Sequence, residues 1–374
     1  MSAPVPREKR HRTDLGTKVK SDATLIRVET DNGLTGIGAA LGSPPIVAAI
    51  VQHELASEVV GEDPMFSERI YEKMYNGSRS TPALERGVTQ ADESRRRGVI
   101  MEAIAGVDIA VWDVKAQALG IPLYQALGAV RSSVRGYASG GWAPGEEAEG
   151  ELAGYAAKGF TAAKMRVVGR DGFSIANCVR RVKAARRGLG PDVELMVDAH
   201  GTYTVADAKR FARLVEDCDL AWFEEPVVAD DHQGMAELRA AVSVPIAAGE
   251  SEATRYAFRD LAVLRAADIF QPDLGFCGGI SEAVAIAALA SAFNLRLAPH
   301  QWAGAPAFFA GLHVSAASPA SFVVEYSLGA NPMLHELIEE KVAVKDGMIA
   351  IPDRPGLGIT VVEDYLRAHA MTDR

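Results

Sequence analysis

The chain has 374 residues, 48% of them hydrophobic and 24% charged, so it is long enough for one large or two ordinary globular domains. Its formal net charge of −10 argues against nucleic acid or an anionic membrane as a partner, because both are bound by clustered Lys and Arg. We expect no disulfide framework from three widely spaced cysteines, no secretory signal and no membrane span, and hence a cytoplasmic protein.

The N-terminal third is predicted to be a hairpin followed by helices. Residues 24–30 are rich in β-formers, Asp31-Asn32-Gly33 is a turn signal, and residues 34–40 return along the first strand. Helical patterns follow from residue 44 to about 127, with apolar positions three and four apart over residues 101–119. The glycines of the hairpin have the wrong spacing for a dinucleotide-binding fingerprint.

After Ser132, eight short apolar runs alternate with helical segments, which is typical of a parallel α/β barrel or a doubly wound sheet. From the second run onward each ends in a charged residue or a histidine, at intervals of 23 to 34 residues. These residues are Lys164, Asp198, Glu224, Glu250, Asp273, His300 and Glu325. Strand ends converge at one face of a barrel but spread along the edge of an open sheet, so we predict the barrel.

Three of these strand ends are carboxylates, and their oxygens suit Mg²⁺. Asp198, Glu224 and Glu250 would repel one another if brought together without a cation. They could instead be unrelated surface acids, but their regular spacing favours one Mg²⁺ per active site. Glu224 and Glu225 are adjacent and should point to opposite faces of the strand, so we expect only one of them to be a ligand and the other to be structural.

Two further patterns accompany the acids. Lys164 and Arg166 are two apart on a predicted strand and therefore share a face. Such a pair is ordinarily solvated, but this one lies in an apolar strand. His200 stands two residues after Asp198; it is either part of the site or an ordinary loop histidine.

The ordered segments VDAH, WFEEP, AAGES, FQPDLGFCGG, APHQW and VVEY resemble the mandelate racemase branch of the enolase superfamily, the mandelate racemase / muconate lactonizing enzyme family. The similarity extends over residues 23–360 through TDNGLTGIGAA, IAGVDIAVWDVKAQALG and IPDRPGLGIT. It implies an α+β capping domain, residues 1–125 completed by 350–374, over a modified (β/α)₇β TIM barrel, residues 126–349. It also implies a homo-oligomer and a small-molecule carboxylate substrate.

The resemblance further implies roles for the strand-end residues. Asp198, Glu224 and Glu250 would bind Mg²⁺, and His300, oriented by Asp273, would be the general base or acid. Glu325 would lie beside the substrate carboxylate, and Lys164 on the face opposite His300. These roles fit removal of an α-proton, because the resulting enediolate must be stabilised as it forms.

Two departures from the family's racemases favour elimination. Racemases of the family usually carry Lys-x-Lys, but the second position here is Arg166, and guanidinium is a poor base and a good anion clamp. A His at position 200 resembles the acid that assists the leaving group in some sugar-acid dehydratases. We therefore favour a dehydratase or lactone cycloisomerase, with a racemase or epimerase as the alternative and a non-catalytic binding protein as a remote one.

Substrate specificity is expected to come from residues 7–20 and 75–85 of the cap and from barrel-end residues such as Trp302. The family normally opens with a complete β-strand, whereas this sequence begins at what resembles the end of that strand. We therefore expect a short first strand or a start upstream of Met1.

Overall fold

The computed structural model describes residues 1–10, 12–13, 16–90, 98–170 and 172–371. The strands are β1 Ser2–Pro4, β2 Arg12–Thr13, β3 Gly16–Thr17, β4 Lys20–Asp22, β5 Thr24–Glu29, β6 Thr35–Ala40, β7 Ser133–Gly140, β8 Ala162–Arg166, β9 Glu194–Asp198, β10 Leu220–Glu224, β11 Ile246–Ala248, β12 Ile269–Phe270, β13 Arg296–Leu297, β14 Val324–Ser327, β15 Val344–Lys345 and β16 Met348–Ala350. The helices are α1 Pro44–Ile50, α2 Ala56–Val59, α3 Ser67–Asn76, α4 Ser80–Arg86, α5 Val99–Ala118, α6 Leu123–Ala126, α7 Glu147–Ala157, α8 Ile175–Leu189, α9 Val205–Leu214, α10 His232–Ala241, α11 Thr254–Leu264, α12 Gly279–Ala292, α13 Ala305–Ala317, α14 Pro332–His335 and α15 Glu363–His369.

Strands β7–β14 form the predicted barrel, with α7–α13 between successive strands. Each strand from β7 to β12 pairs in parallel with the next, and β14 pairs in parallel with β7. A parallel bridge between Leu297 and Ser321 closes the ring. The (β/α)₇β prediction is confirmed. Both faces of these strands are covered, by helices outside and side chains inside, which explains their nearly continuous apolar runs.

Apolar side chains fill the inside of the barrel below the polar strand ends. The Tyr137 and Trp222 rings meet edge to face, with centroids 5.2 Å apart, and the ammonium of Lys164 lies 5.7 Å above the Tyr137 ring. The layer consists of Tyr137, Ala162, Met196, Trp222, Ala247, Ile269, Ala298 and Val323. Charges immediately above this dry layer must neutralise one another, because water cannot do so.

The N-terminal part contains the predicted hairpin, formed by β5 and β6, and the predicted long helix, α5. The hairpin glycines let α5 approach the sheet. A Cβ at Gly36 would lie 2.0 Å from the Ala110 carbonyl oxygen, and one at Gly38 would lie 1.8 Å from that of Gly106. This close approach accounts for glycines that did not fit a nucleotide-binding motif.

Buried polar contacts join this N-terminal part to the barrel. The Tyr71 hydroxyl of α3 donates to Glu282 of α12 over 2.7 Å, and the carboxylate of Asp108 on α5 accepts from the Ser281 hydroxyl, also over 2.7 Å. Among the described residues, no helix is long and apolar enough to cross a membrane.

His313 of α13 connects three segments from a fully buried position. Its Nδ1 accepts from the backbone N–H of Tyr124 over 3.1 Å, and its Nε2 donates to the Leu357 carbonyl oxygen over 3.1 Å. Burial lowers the pKa of His313 from 6.5 to about 4, so the ring is neutral in the folded protein near neutral pH. This neutral tautomer is the one that satisfies both backbone groups.

We expect His313 to make stability fall with acidity. Its folded pKa lies below its unfolded value, so its contribution is complete above pH 6.5 and is lost as pH falls from 6.5 towards 4. The full difference corresponds to about 3 kcal/mol, of which about 2 kcal/mol is lost by pH 5. Urea unfolding at pH 7.5 and pH 5 should therefore show the stability advantage of the wild type over His313→Gln shrinking by about 2 kcal/mol. The control is His53→Gln, at an exposed position, and an equal advantage at both pH values would contradict the prediction.

Candidate active site

The C-terminal ends of the barrel strands surround a cavity of about 370 Å³. The structure brings most of the predicted site residues to its wall, together with residues of the N-terminal part and the end of β7. The lining residues are Gly16, Thr17, Lys18, Ser139, Gly140, Trp142, Lys164, Met165, Arg166, Asp198, His200, Glu250, His300, Trp302 and Glu325. Glu224 and Asp273 lie behind this wall, at 0% and 1% exposure.

Lys164 is the central cation of the site and is 3% exposed. Its Nζ is hydrogen-bonded to Glu224 and lies 3.4 Å from Glu325 Oε1 and 3.8 Å from Asp198 Oδ2. Burial alone would lower the pKa of Lys164, but Glu224 and Glu325 outweigh it and hold the pKa well above its ordinary value. Lys164 is therefore a fixed positive charge.

Glu224 accepts hydrogen bonds from its own strand and from the residue that follows β12. Its Oε2 accepts from Trp222 Nε1 over 2.9 Å and from Gln271 Nε2 over 2.7 Å. Burial raises its pKa to about 7 in spite of Lys164, and repulsion from Asp198 and other acids adds to the rise.

Arg166, Asp198 and Glu224 lie side by side, because their strands pair in register at these residues. Arg166 Nη1 lies 3.2 Å from Asp198 Oδ2. Burial would raise the pKa of Asp198, but Arg166 and Lys164 bring it below the ordinary value. Arg166 is thus a clamp on a carboxylate at the cavity wall.

His200 follows the end of β9 in a left-handed conformation, with φ of 50°. Its backbone N–H donates to Asp198 Oδ1 over 3.0 Å, and its Nδ1 lies 3.5 Å from Glu250 Oε1. Its side chain is 31% exposed and lines the cavity. The structure thus places the His200 side chain at the cavity wall.

His300 and Asp273 form a buried pair on adjacent strand ends. His300 Nδ1 lies 2.7 Å from Asp273 Oδ2, which leaves Nε2 3.4 Å from Glu250 Oε2 and 4.0 Å from Glu325 Oε2. Burial would lower the pKa of His300, but the carboxylates of Glu250, Glu325 and Asp273 raise it to about 10. Asp273 is itself fixed by the backbone N–H of Gly275, over 2.8 Å.

Trp302 connects the pair to Glu325. Its backbone N–H donates to Asp273 Oδ2 over 3.2 Å, and its indole N–H donates to Glu325 Oε1 over 3.3 Å. Its ring stacks on His300 with centroids 6.5 Å apart. Trp302 therefore forms the part of the cavity wall beside His300 and Glu325.

Glu225 differs from the expectation of strand alternation. β10 ends at Glu224, and Glu225 has a φ of 35°, so its side chain also faces the acid cluster. Within the described part of the chain, His200, Glu225 and Glu250 each have a potential ligand atom within 4.8 Å of the others. Of the predicted ligands, Glu250 belongs to this group, whereas Asp198 and Glu224 contact Arg166 and Lys164.

The acid cluster fits a divalent cation. Burial, and repulsion from Glu250, Asp198 and Glu224, raise the pKa of Glu225 to about 9. Among the described residues, its buried Oε1 has no hydrogen-bond partner. Crowded carboxylate oxygens of this kind are the donors that Mg²⁺ prefers.

Arg181 of α8 supports the ends of β7 and β8 from behind. The side chain is fully buried and donates to four backbone carbonyl groups at 2.6–2.9 Å. These carbonyls belong to Gly141, Ala143, Arg166 and Val167. Arg181 thus helps to hold the backbone on either side of Trp142 and at Arg166.

Several residues of the cavity wall were not predicted from the sequence. Ser139 and Trp142 come from β7 and its extension, the one barrel strand without a charged end, so no strand-end signal marked them. Gly16–Lys18 fall within the predicted specificity region 7–20, of which residues 11, 14 and 15 lie outside the described residues. None of the residues that line the cavity comes from 75–85, the other predicted region.

Known families and proteins match almost the whole chain. Residues 1–128 match the family described as mandelate racemase / muconate lactonizing enzyme, N-terminal domain, and residues 147–365 match the one described as enolase C-terminal domain-like. D-galactarolactone cycloisomerase of Agrobacterium fabrum is 33% identical, over 93% of this chain and 91% of its own. D-galactonate dehydratase of Xanthomonas oryzae pv. oryzae is 34% identical, over 92% of this chain and 90% of its own.

Solved structures share the fold. A member of the enolase superfamily from Polaromonas sp. JS666 aligns with a TM-score of 0.88 and 30% identity, covering 100% of this chain and 96% of its own. A racemase from Streptomyces coelicolor A3(2) with bound magnesium aligns with a TM-score of 0.86 and 30% identity, covering 99% of this chain and 97% of its own.

Proposed function

The chain belongs to the mandelate racemase / muconate lactonizing enzyme family of the enolase superfamily, and from this premise we propose that it is a Mg²⁺-dependent dehydratase or lactone cycloisomerase of sugar acids. In this proposal, a capping domain of residues 1–125 and 350–374 determines substrate specificity. The barrel of residues 126–349 carries the catalytic residues. Three free, buried cysteines support the proposal that it works in the cytoplasm, and self-association remains a prediction from the resemblance.

One observation carries the choice of elimination: the site has one base and one fixed cation rather than two bases. His300 has Nδ1 bound to Asp273 and Nε2 towards the cavity, whereas Lys164 is held as an ammonium by Glu224 and Glu325. Racemisation needs a second base on the opposite face, and neither this lysine nor Arg166 suits that task.

The proposed reaction begins at the α-carbon. His300 Nε2 takes the α-proton, and Asp273 keeps the ring in the right tautomer and stabilises the imidazolium. Lys164, which is paired with Glu325, faces the substrate carboxylate, where negative charge develops and a cation stabilises it. Glu250 and its neighbours would hold Mg²⁺, which would supply compensation for the negative charge that develops on the substrate.

The second half of the reaction expels the β-substituent. His200 lines the cavity close to Glu250 and is placed to give a proton to a departing hydroxide, with Arg166 assisting. In a lactone, the group that leaves is the ring oxygen. Both outcomes begin with the same proton transfer to His300, so one site serves either substrate form.

The test is a screen of sugar acids and their lactones with Mg²⁺ in D₂O. A 2-keto-3-deoxy product, trapped with semicarbazide, would support dehydration when it forms from an open-chain acid and cycloisomerisation when it forms from a lactone. Deuterium at the α-carbon of recovered substrate, with no elimination of any acid, would instead support the racemase alternative and contradict the proposal.

A further inference from the structure

Lys18 is the cation that the N-terminal part contributes to the cavity wall. It follows β3 and lines the cavity together with Gly16 and Thr17. Its Nζ lies 4.7 Å from the centroid of the Trp302 ring. Because that ring stacks on His300 and its indole N–H donates to Glu325, the ammonium lies one aromatic ring away from the reacting centre.

Lys18 differs from the other cations of the cavity wall in having no carboxylate beside it among the described residues. Lys164 and Arg166 each contact at least one carboxylate. Within the described residues, by contrast, no carboxylate oxygen lies within 4.0 Å of the Lys18 ammonium, and its contact is with the Trp302 ring. Burial lowers the pKa of Lys18 to about 8, which is the effect of desolvation on an ammonium without a nearby anion.

An anionic group of the ligand would complete this arrangement. The substrate carboxylate next to the α-carbon belongs with Lys164, Glu325 and the acid cluster, whereas Lys18 contacts the Trp302 ring and forms no ion pair with another described residue. An anion bound at Lys18 would therefore come from another part of the substrate. A single ammonium on an aromatic face matches one carboxylate, which carries one negative charge.

We propose that Lys18 binds a second, terminal carboxylate of the substrate and so selects dicarboxylic sugar acids or their monolactones over monocarboxylic ones. The proposal rests on the proposed function, whose substrate class it narrows. Lys18 is a specificity residue in this reaction: it binds the end of the substrate that does not react.

The test compares pairs of acids that differ only at the terminal carbon. Galactarate and glucarate end in a carboxylate, whereas galactonate and gluconate carry a hydroxymethyl group there. Calorimetric binding to the Mg²⁺-loaded His300→Asn variant separates recognition from turnover. We expect about 10- to 100-fold tighter binding of the better diacid than of its partner monoacid, the usual value of a hydrogen-bonded charge.

Lys18→Met in the same background should reduce that preference to less than about threefold, by weakening the diacid alone, and Lys18→Arg should retain most of it. Lys20→Met is the matched control, since Lys20 is exposed and paired with Asp22 over 2.5 Å. In the active enzyme, Lys18→Met should raise KM for the diacid and change kcat little.

Equal losses for diacid and monoacid would overturn the inference by making Lys18 a structural residue, and so would an unchanged preference. Tighter binding of monoacids by the wild type would overturn it as well. Each of these results is distinct from failure of the proposed function, which would be shown by absence of elimination from every acid that binds.

Discussion

Replacing His300 with Asn should lower kcat by about 10²- to 10⁴-fold, the range expected for loss of a general base. The structure turns Nε2 of His300 towards the carboxylates of Glu250 and Glu325, where the α-proton would be taken, because Nδ1 is bound to Asp273. The steady-state turnover rate and the rate of α-proton exchange in D₂O should both fall, whereas the affinity for the acid should be retained.

The pH profile provides a second signature of His300. A base works when deprotonated, so kcat/KM should rise with pH up to the pKa of this ring. Burial disfavours protonation of His300, but the neighbouring carboxylates favour it and raise the pKa to about 10. A bound cation that neutralises Glu250 would lower this pKa. We therefore expect an apparent pKa between 6.5 and 10.

Two variants make the His300 prediction specific. Asp273→Asn should also lower kcat, because an amide at that position no longer favours the tautomer with hydrogen on Nδ1. His232→Asn is the control: its Nε2 lies 2.6 Å from Glu252 and the residue does not line the cavity, so activity should change less than threefold. Activity of His300→Asn within tenfold of the wild type would assign the base to another residue.

Replacing Lys164 with Met should cost the metal-free protein about 3–5 kcal/mol of unfolding free energy, the usual cost of breaking a buried ion pair. Its ammonium faces Glu224, Glu325 and Asp198 above an apolar floor, so its removal leaves buried carboxylates without their counter-charge. Urea unfolding in EDTA measures the loss. Activity should fall by at least about 10²-fold, since the same charge faces the developing enediolate.

A double-mutant cycle distinguishes lost charge from lost packing. If the cost comes from uncompensated charge, Lys164→Met combined with Glu224→Gln should be more stable than Lys164→Met alone. The matched single variant is Arg166→Met, whose guanidinium is nearer the cavity mouth and should cost less. A double variant less stable than either single variant would show that Lys164 acts through packing.

The sequence was sufficient to predict the barrel and most of its polar strand ends, because a β/α unit of regular length brings every strand end to one face. Short strands did not matter: β12 and β13 have only two residues each, yet Asp273 and His300 still meet through a parallel bridge just beyond them. The order of the strands determines which strand-end residues lie next to one another. That order follows from the alternation of strands and helices in the sequence.

Local backbone geometry, and contacts between residues far apart in the chain, could not be predicted from the sequence pattern. The rule of alternating strand faces failed at Glu225, because the strand ends one residue earlier and the chain turns into a left-handed conformation. The contact between Lys18 and Trp302 joins residues separated by most of the chain. No periodicity encodes such a contact, since it depends on how the N-terminal part sits over the barrel.

Arg181 has a consequence for how this site can change in evolution or in the laboratory. It holds the ends of β7 and β8 through four backbone carbonyl groups, and these four hydrogen bonds do not depend on the side chains of Trp142 and Arg166. The Trp142 position can therefore be randomised while the scaffold behind it stays intact, whereas Arg166 must also keep its contact with Asp198. Libraries that keep Arg181 should therefore yield folded enzymes with new substrate preferences, whereas libraries that vary it should be dominated by unfolded chains.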